Sequence, residues 1–252
     1  MKALIKISIV TSVVMLMSCA EILNTISQFE LPVQLTEGEV ANGLKEALKV
    51  GTNNSVDILS MENGFLGDDL LKIMLPKEAS IITDNLSMIP GGDKLVDDVI
   101  LRLNRAAEDA VTEAAPIFVG AITSMTITDA FNILHGGDNA ATEFLKRNTY
   151  TELRELFQPK VTNSLDKKLI GTISTNDSWS ILTEKYNTVA NSLVGTIAGF
   201  QTIDVKLDDY VTLKTLDGLF IKVADEEKEI RKNPLKRVTT LLKKVFGELD
   251  KD

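Results

Sequence analysis

The sequence predicts an all-α fold: a single bundle-like helical domain behind an N-terminal export segment. Three observations carry that reading. Helix-start signals recur along the chain, apolar residues follow them at intervals of three and four, and no alternating apolar–polar run is long enough for a strand. Aromatics make up 5% of the 252 residues against 44% for all hydrophobic types, so the core must be mainly aliphatic, which suits helix packing. Charged residues at 25% complete a globular balance and exclude a disordered chain.

The N-terminus comes first. Lys2 and Lys6 precede an apolar stretch over 7–17. It is too short to cross about 30 Å of hydrocarbon, which needs roughly 20 residues, and it fits the core of a secretory signal. The stretch ends Leu16-Met17-Ser18-Cys19, which resembles the bacterial lipobox, with Met17 a less usual middle residue. The expectation is that residues 1–18 are a lipoprotein signal peptide and that Cys19, the single cysteine, accepts a diacylglyceryl group. Two or more acyl chains anchor stably where one does not. An ordinary signal peptide or a short N-terminal anchor is the alternative. Ala20, in place of an aspartate, points to the outer membrane facing the periplasm. Within residues 19–34, Ile22, Leu23, Ile26 and Phe29 share one helical face, to pack on the domain or lie at the bilayer surface. Leu31-Pro32 breaks that pattern.

The main domain is expected over 35–247, with 248–252 as a tail. Thr36 to Glu39 reads as a capping box, followed by Val40, Leu44, Ala47 and Leu48, with Gly51 as a stop and a second short helix over 53–61. Asn63-Gly64 and Gly67 mark turns, 70–76 a brief extended piece, and Pro76 the opening of a helix to about Met88. Asp93 is the expected N-cap of the clearest helix, over 94–115, lined by Leu95, Val96, Val99, Leu103, Ala106, Ala107 and Ala110. Pro116 restarts the chain into 117–125, and Thr126 to Asp129 caps 130–134. Gly136-Gly137-Asp138 precedes a helix over 139–146, and Thr149 to Glu152 opens another that Pro159 should kink or split. A helix over 177–193 carries Trp179. Asp208 or Asp209 caps a long one through Arg231, with Tyr210, Leu213, Leu216, Phe220, Val223 and Ile230 inward. Asn233-Pro234 caps the last, with Val238, Leu241, Leu242 and Val245 as its stripe and Gly247 its end.

Several stretches then fall into place together: 35–39 with 43–48; Leu103-Asn104-Arg105-Ala106-Ala107-Glu108; 125–130; Ile133-Leu134-His135-Gly136-Gly137-Asp138; Asp217-Gly218-Leu219-Phe220; and Asn233-Pro234 with 241–247. In this order they resemble the bacterial domain of unknown function 4197 family over 35–247. The resemblance implies a single helical domain of Gram-negative bacteria, often secreted or lipid-anchored. It brings no activity and no catalytic residues.

Net charge is −9, and losing Lys2 and Lys6 with the first 18 residues takes it to −11. An acidic surface repels phosphate backbones, so no nucleic-acid partner is expected. Nucleophile-elbow, phosphate-loop and zinc-protease motifs are absent from the sequence, and no cofactor is expected. One histidine and no free cysteine make a zinc site improbable. Asp68-Asp69, Asp97-Asp98 and Asp208-Asp209 lack calcium-loop spacing and read as caps or solvated surface. The candidate polar cluster is Arg102, Asn104, Arg105 and Glu108 within an apolar helix, where Arg105 and Glu108 can pair. If Asn104 or Arg105 faces inward it needs buried partners, and Asp129 or Asp138 can supply one. Such a cluster is either a network that fixes helix packing or a polar anchor in a ligand pocket. His135 is read as ending a short helix, where a donor suits the terminal carbonyls. The expected function is a non-catalytic binding or scaffold module held at the membrane by its N-terminal lipid, its partner an envelope protein. Carriage of an apolar ligand between helices and carboxylate-based hydrolysis of envelope material are the alternatives.

Overall fold

Apolar positions three and four apart produce helices here, and the order of the helices follows from which stripes meet. The computed structural model describes residues 35–128 and 130–250. Over these the chain forms ten α-helices and four short 3-10 turns, with no strand. Cys19, the signal segment and the apolar face at 22–29 lie outside the described residues. Glu37–Asp252 is one compact unit. Its centre is built from three long helices: α1 (Glu37–Leu59), α6 (Ala140–Asp166) and α9 (Leu207–Lys232), with α9 packed against both others. Around them stand α2 (Ser80–Asp84), α3 (Gly92–Val111), α4 (Ala114–Ser124), α5 (Ala130–Leu134), α7 (Thr175–Ala190), α8 (Leu193–Ala198) and α10 (Thr240–Phe246).

Several boundaries differ from expectation, each for a packing reason. α1 runs straight through Gly51, so residues 53–59 are its last turns and not a separate helix. A Cβ on Gly51 would lie 3.3 Å from Glu226 Cβ and 3.6 Å from the Val223 carbonyl. The glycine is there for close approach to α9, not to end the helix. α6 likewise absorbs both expected pieces. The Thr149 hydroxyl is spent on the Leu145 carbonyl at 2.7 Å, one turn back, so it caps nothing. Pro159 removes one backbone donor, but Phe157 and Val161 on either side are fully buried and hold the helix across the gap.

The segment expected as one helix from Pro76 to Met88 is broken into a 3-10 turn, α2 and a second 3-10 turn, interrupted at Asn85. Asp93 is inside the first turn of α3. The cap position belongs to Gly91 in the left-handed region (φ +73), where glycine is unstrained. α4 begins at Ala114, two residues ahead of Pro116. α7 is capped by Ser174, with Asp177 completing a reciprocal capping box at 3.0 and 2.8 Å. Lys206 holds the cap position of α9, so Asp208 and Asp209 are in its first turn, where their charge opposes the helix dipole favourably. Of the expected inward stripe of α9, Leu216, Phe220, Val223 and Ile230 are buried while Tyr210 and Leu213 are half-buried, and Val211, Thr215 and Leu219 widen the buried face. Asn233 caps only the 3-10 turn at Pro234–Lys236. α10 starts later, at a Thr239 cap, which leaves Val238 exposed.

Candidate functional site

On α3, Arg102, Asn104 and Glu108 each reach a different irregular segment of backbone, and Arg105 binds side chains on the segment that Glu108 reaches. Irregular chain buried against a helix leaves N–H and C=O groups without water, so something must pair with them. Asn104 is fully buried; its Oδ1 accepts the Ile73 N–H at 2.8 Å and its Nδ2 donates to the Ile73 and Ile100 carbonyls at 2.9 and 2.7 Å. Glu108, also buried, accepts the Phe65 N–H at 3.1 Å and pairs with Arg105 at 2.5 Å. Arg105 continues to Glu62 and Asn63 at 3.1 and 2.9 Å. Arg102 donates to the Ile170 and Ile173 carbonyls at 2.7 and 2.9 Å and to Asp98 at 2.8 Å. Burial alone would raise the Asp98 carboxyl, but hydrogen bonds from Arg102 and Ser178 outweigh it and hold it below the usual carboxylate range.

His135 and Asp138 do not join this set. His135 follows α5, with Nδ1 3.0 Å from the Phe131 carbonyl and its ring stacked near the Phe131 ring. Asp138 pairs with Lys232 on α9, which holds its carboxyl below the usual range. Asp138 is therefore not the partner of Asn104 or Arg105. The side chain of Asp129, the other expected partner, lies outside the described residues.

Beside His135 and Asp138 is a buried charge arrangement that the sequence reading does not include. Glu227 accepts the Ala141 and Thr142 amides at 3.0 and 2.7 Å, placing a carboxylate at the positive end of α6. Arg231, one turn on, pairs with Glu227 at 2.7 Å and donates to the Leu134 and Ile133 carbonyls at the negative end of α5. Arg237 donates to the Ile230 and Arg231 carbonyls at the end of α9 and forks onto Asp250. The available signal was an acid and an arginine four apart on the inward face that Val223 and Ile230 define.

Arg105 and Glu108 line a cavity of about 480 Å³ together with Glu62 and Asp109. His135 and Asp138 line another of about 450 Å³ with Arg231 and Asp250. A third, of about 340 Å³, lies beside Trp179, whose indole N–H donates to the Val205 carbonyl at 2.8 Å. Among the described residues, Thr52 Oγ1 is the one buried side-chain polar atom without a partner, and no three His, Cys, Asp or Glu residues converge as metal ligands.

Fold and side-chain chemistry together define a class: an all-α domain whose buried charges serve helix ends and loop backbone. The chain belongs to the family described as protein of unknown function (DUF4197), whose sequence model matches residues 34–247. No curated protein and no solved structure matches it.

Proposed function

We propose that this protein is a non-catalytic binding or scaffold module, tethered through acylated Cys19 to the outer membrane and facing the periplasm. The observation that carries the non-catalytic part is the engagement of its buried charged and amide side chains. Asn104, Glu108, Arg102, Glu227, Arg231 and Arg237 are each engaged by backbone groups or by one another. A catalytic acid or base needs a free proton site facing a substrate, and these residues are occupied in holding the fold. The tether is supported by the lipobox-like 16–19 stretch behind a charged and an apolar segment. The cavities lend no weight to an apolar carrier, since Glu62, Arg105, Asp138 and Arg231 stand in their walls.

Fractionation of the native cell with and without Cys19→Ser tests the tether. The natural protein is expected in the outer-membrane fraction and the variant in the soluble periplasm, and an unchanged distribution refutes the tether. Incubation with isolated cell-wall material tests the absence of chemistry. Product formation that disappears in Glu108→Gln, with the fold retained, would refute it.

A further inference from the structure

Residues 189–203 hold no charge, yet part of this run stands in water. On α8, Leu193, Val194 and Ile197 are 78%, 60% and 79% exposed. The corner is firmly built. Ser192 accepts the Gly195 N–H at 3.1 Å at one end, and Gly199 (φ +76) closes the other, with the Phe200 N–H on the Gly195 carbonyl at 3.0 Å. Gly195 is pressed onto the last turn of α7, where a Cβ would lie 2.2 Å from the Val189 carbonyl. That contact fixes which face of α8 looks outward. The return segment is fastened too, because the Asn187 side chain bonds both the N–H and C=O of Ile203 at 2.8 and 3.0 Å.

We propose that α8 is a membrane-contact corner, which sinks its three aliphatic side chains into the interfacial layer of the bilayer that holds the acylated N-terminus. The proposal rests on the tether proposed above. A rigid corner that keeps aliphatic groups in water contributes nothing to the fold and marks a contact surface. Composition disfavours a protein partner. Protein interfaces favour Tyr, Trp and Arg anchors, whereas the exposed side chains here are aliphatic and Phe200 is held against Tyr186. Charge favours lipid, because an acidic domain can approach anionic headgroups only through an uncharged stretch. Reach permits it. The 17 residues from Ala20 to Thr36 can span at most about 60 Å, and a compact domain of this length is roughly 45 Å across. Tethering also raises the local concentration, so a shallow contact suffices.

The test uses the mature lipidated protein in phosphatidylethanolamine–phosphatidylglycerol vesicles. With the Cys19 thiol acylated, Ile197→Cys takes an environment-sensitive fluorophore at one place, and Leu235→Cys, at an 89% exposed position outside α8, is the control. Emission at 197 is expected to shift to the blue and to be quenched by brominated acyl chains, while 235 stays water-like. Leu193→Glu with Val194→Glu returns 197 to water-like emission. Water-like emission at 197 in acylated protein, or quenching at both positions, overturns the α8 assignment and leaves the tether standing. An unacylated Cys19 in the same sample, read by intact mass, overturns both. A photo-crosslinker at 197 that captures protein and no lipid in native membranes also overturns the proposal, and gives the corner to a protein partner.

Discussion

The side-chain amide of Asn104 takes both backbone groups of Ile73, accepting its N–H at 2.8 Å and donating to its carbonyl at 2.9 Å, at a position with no solvent exposure. One side chain thereby docks the non-helical segment 72–76 onto α3. Asn104→Ala strands a buried donor and acceptor, and each unsatisfied group costs about 1–3 kcal/mol. Urea unfolding is expected to show a loss of about 2–4 kcal/mol on the same basis, and amide exchange at Ile73 should quicken beyond that of the α1 core. A loss inside experimental error would mean the segment is held by something else.

Glu227 and Arg231 form the most buried ion pair of the structure described. Removing one partner leaves the other charge buried, which costs about 3–5 kcal/mol. Glu227→Ala also exposes the first amides of α6 to an apolar interior. The double change Glu227→Leu with Arg231→Met is expected to cost less than the sum of the singles in a denaturation cycle. Strict additivity would contradict direct coupling.

Two glycines should respond in opposite directions to a single methyl. On Gly218 of α9 a Cβ would lie 2.7 Å from the Phe65 ring, which is fully buried. Gly218→Ala is expected to destabilise by about 1–3 kcal/mol through overpacking. Gly120 of α4 has open space around its Cβ position, so Gly120→Ala should stabilise by about 0.5–1 kcal/mol through backbone entropy. Paired thermal melts decide both.

Acid should weaken the fold in a defined range. The hydrogen bond from Lys222 holds Asp68 low, the Ser174 amide does so for Asp177, and Arg237 does so for Asp250; Asp98 also ends below the usual range. The unfolded chain protonates these carboxyls near pH 3.9 and the fold only below it. Stability is thus full above about pH 5 and falls as pH drops through the depressed values. Urea midpoints should be flat from neutrality to about pH 5 and then decline, with a shallower decline in Asp98→Asn.

Alkali acts through the tyrosines. Burial, then Asp217, pushes Tyr150 up to about 12, and burial raises Tyr186 and Tyr210. Unfolded phenols ionise near pH 10. The stabilisation is therefore full below that value and is lost as pH climbs towards 12. Phenolate absorbance of the native protein should lag behind that of the protein in urea, and Tyr150→Phe should remove the last-titrating phase.

The all-α class was legible because caps and apolar stripes are local signals. Helix continuity was not, since Gly51, Thr149 and Pro159 look like breaks until α9 and the core supply what they lack. The α3 polar set was visible as polar residues in an apolar stripe. Its partners were hidden, because the backbones of Phe65, Ile73 and Ile170 carry no side-chain signature. Glu227 and Arg231 offered a readable signal in their spacing on the inward face. The α8 corner was readable too, in Ser192 and Gly199, but the helical pattern ending at Leu193 obscured it.

The N-terminus of the protein taken from its native envelope bears most directly on the account. Intact-mass spectrometry should find a chain that begins at Cys19 and carries a diacylglyceryl group on its sulfur, with a further acyl chain on the freed amine. A chain starting elsewhere, or an unmodified Cys19, would contradict the tether and the placement built on it.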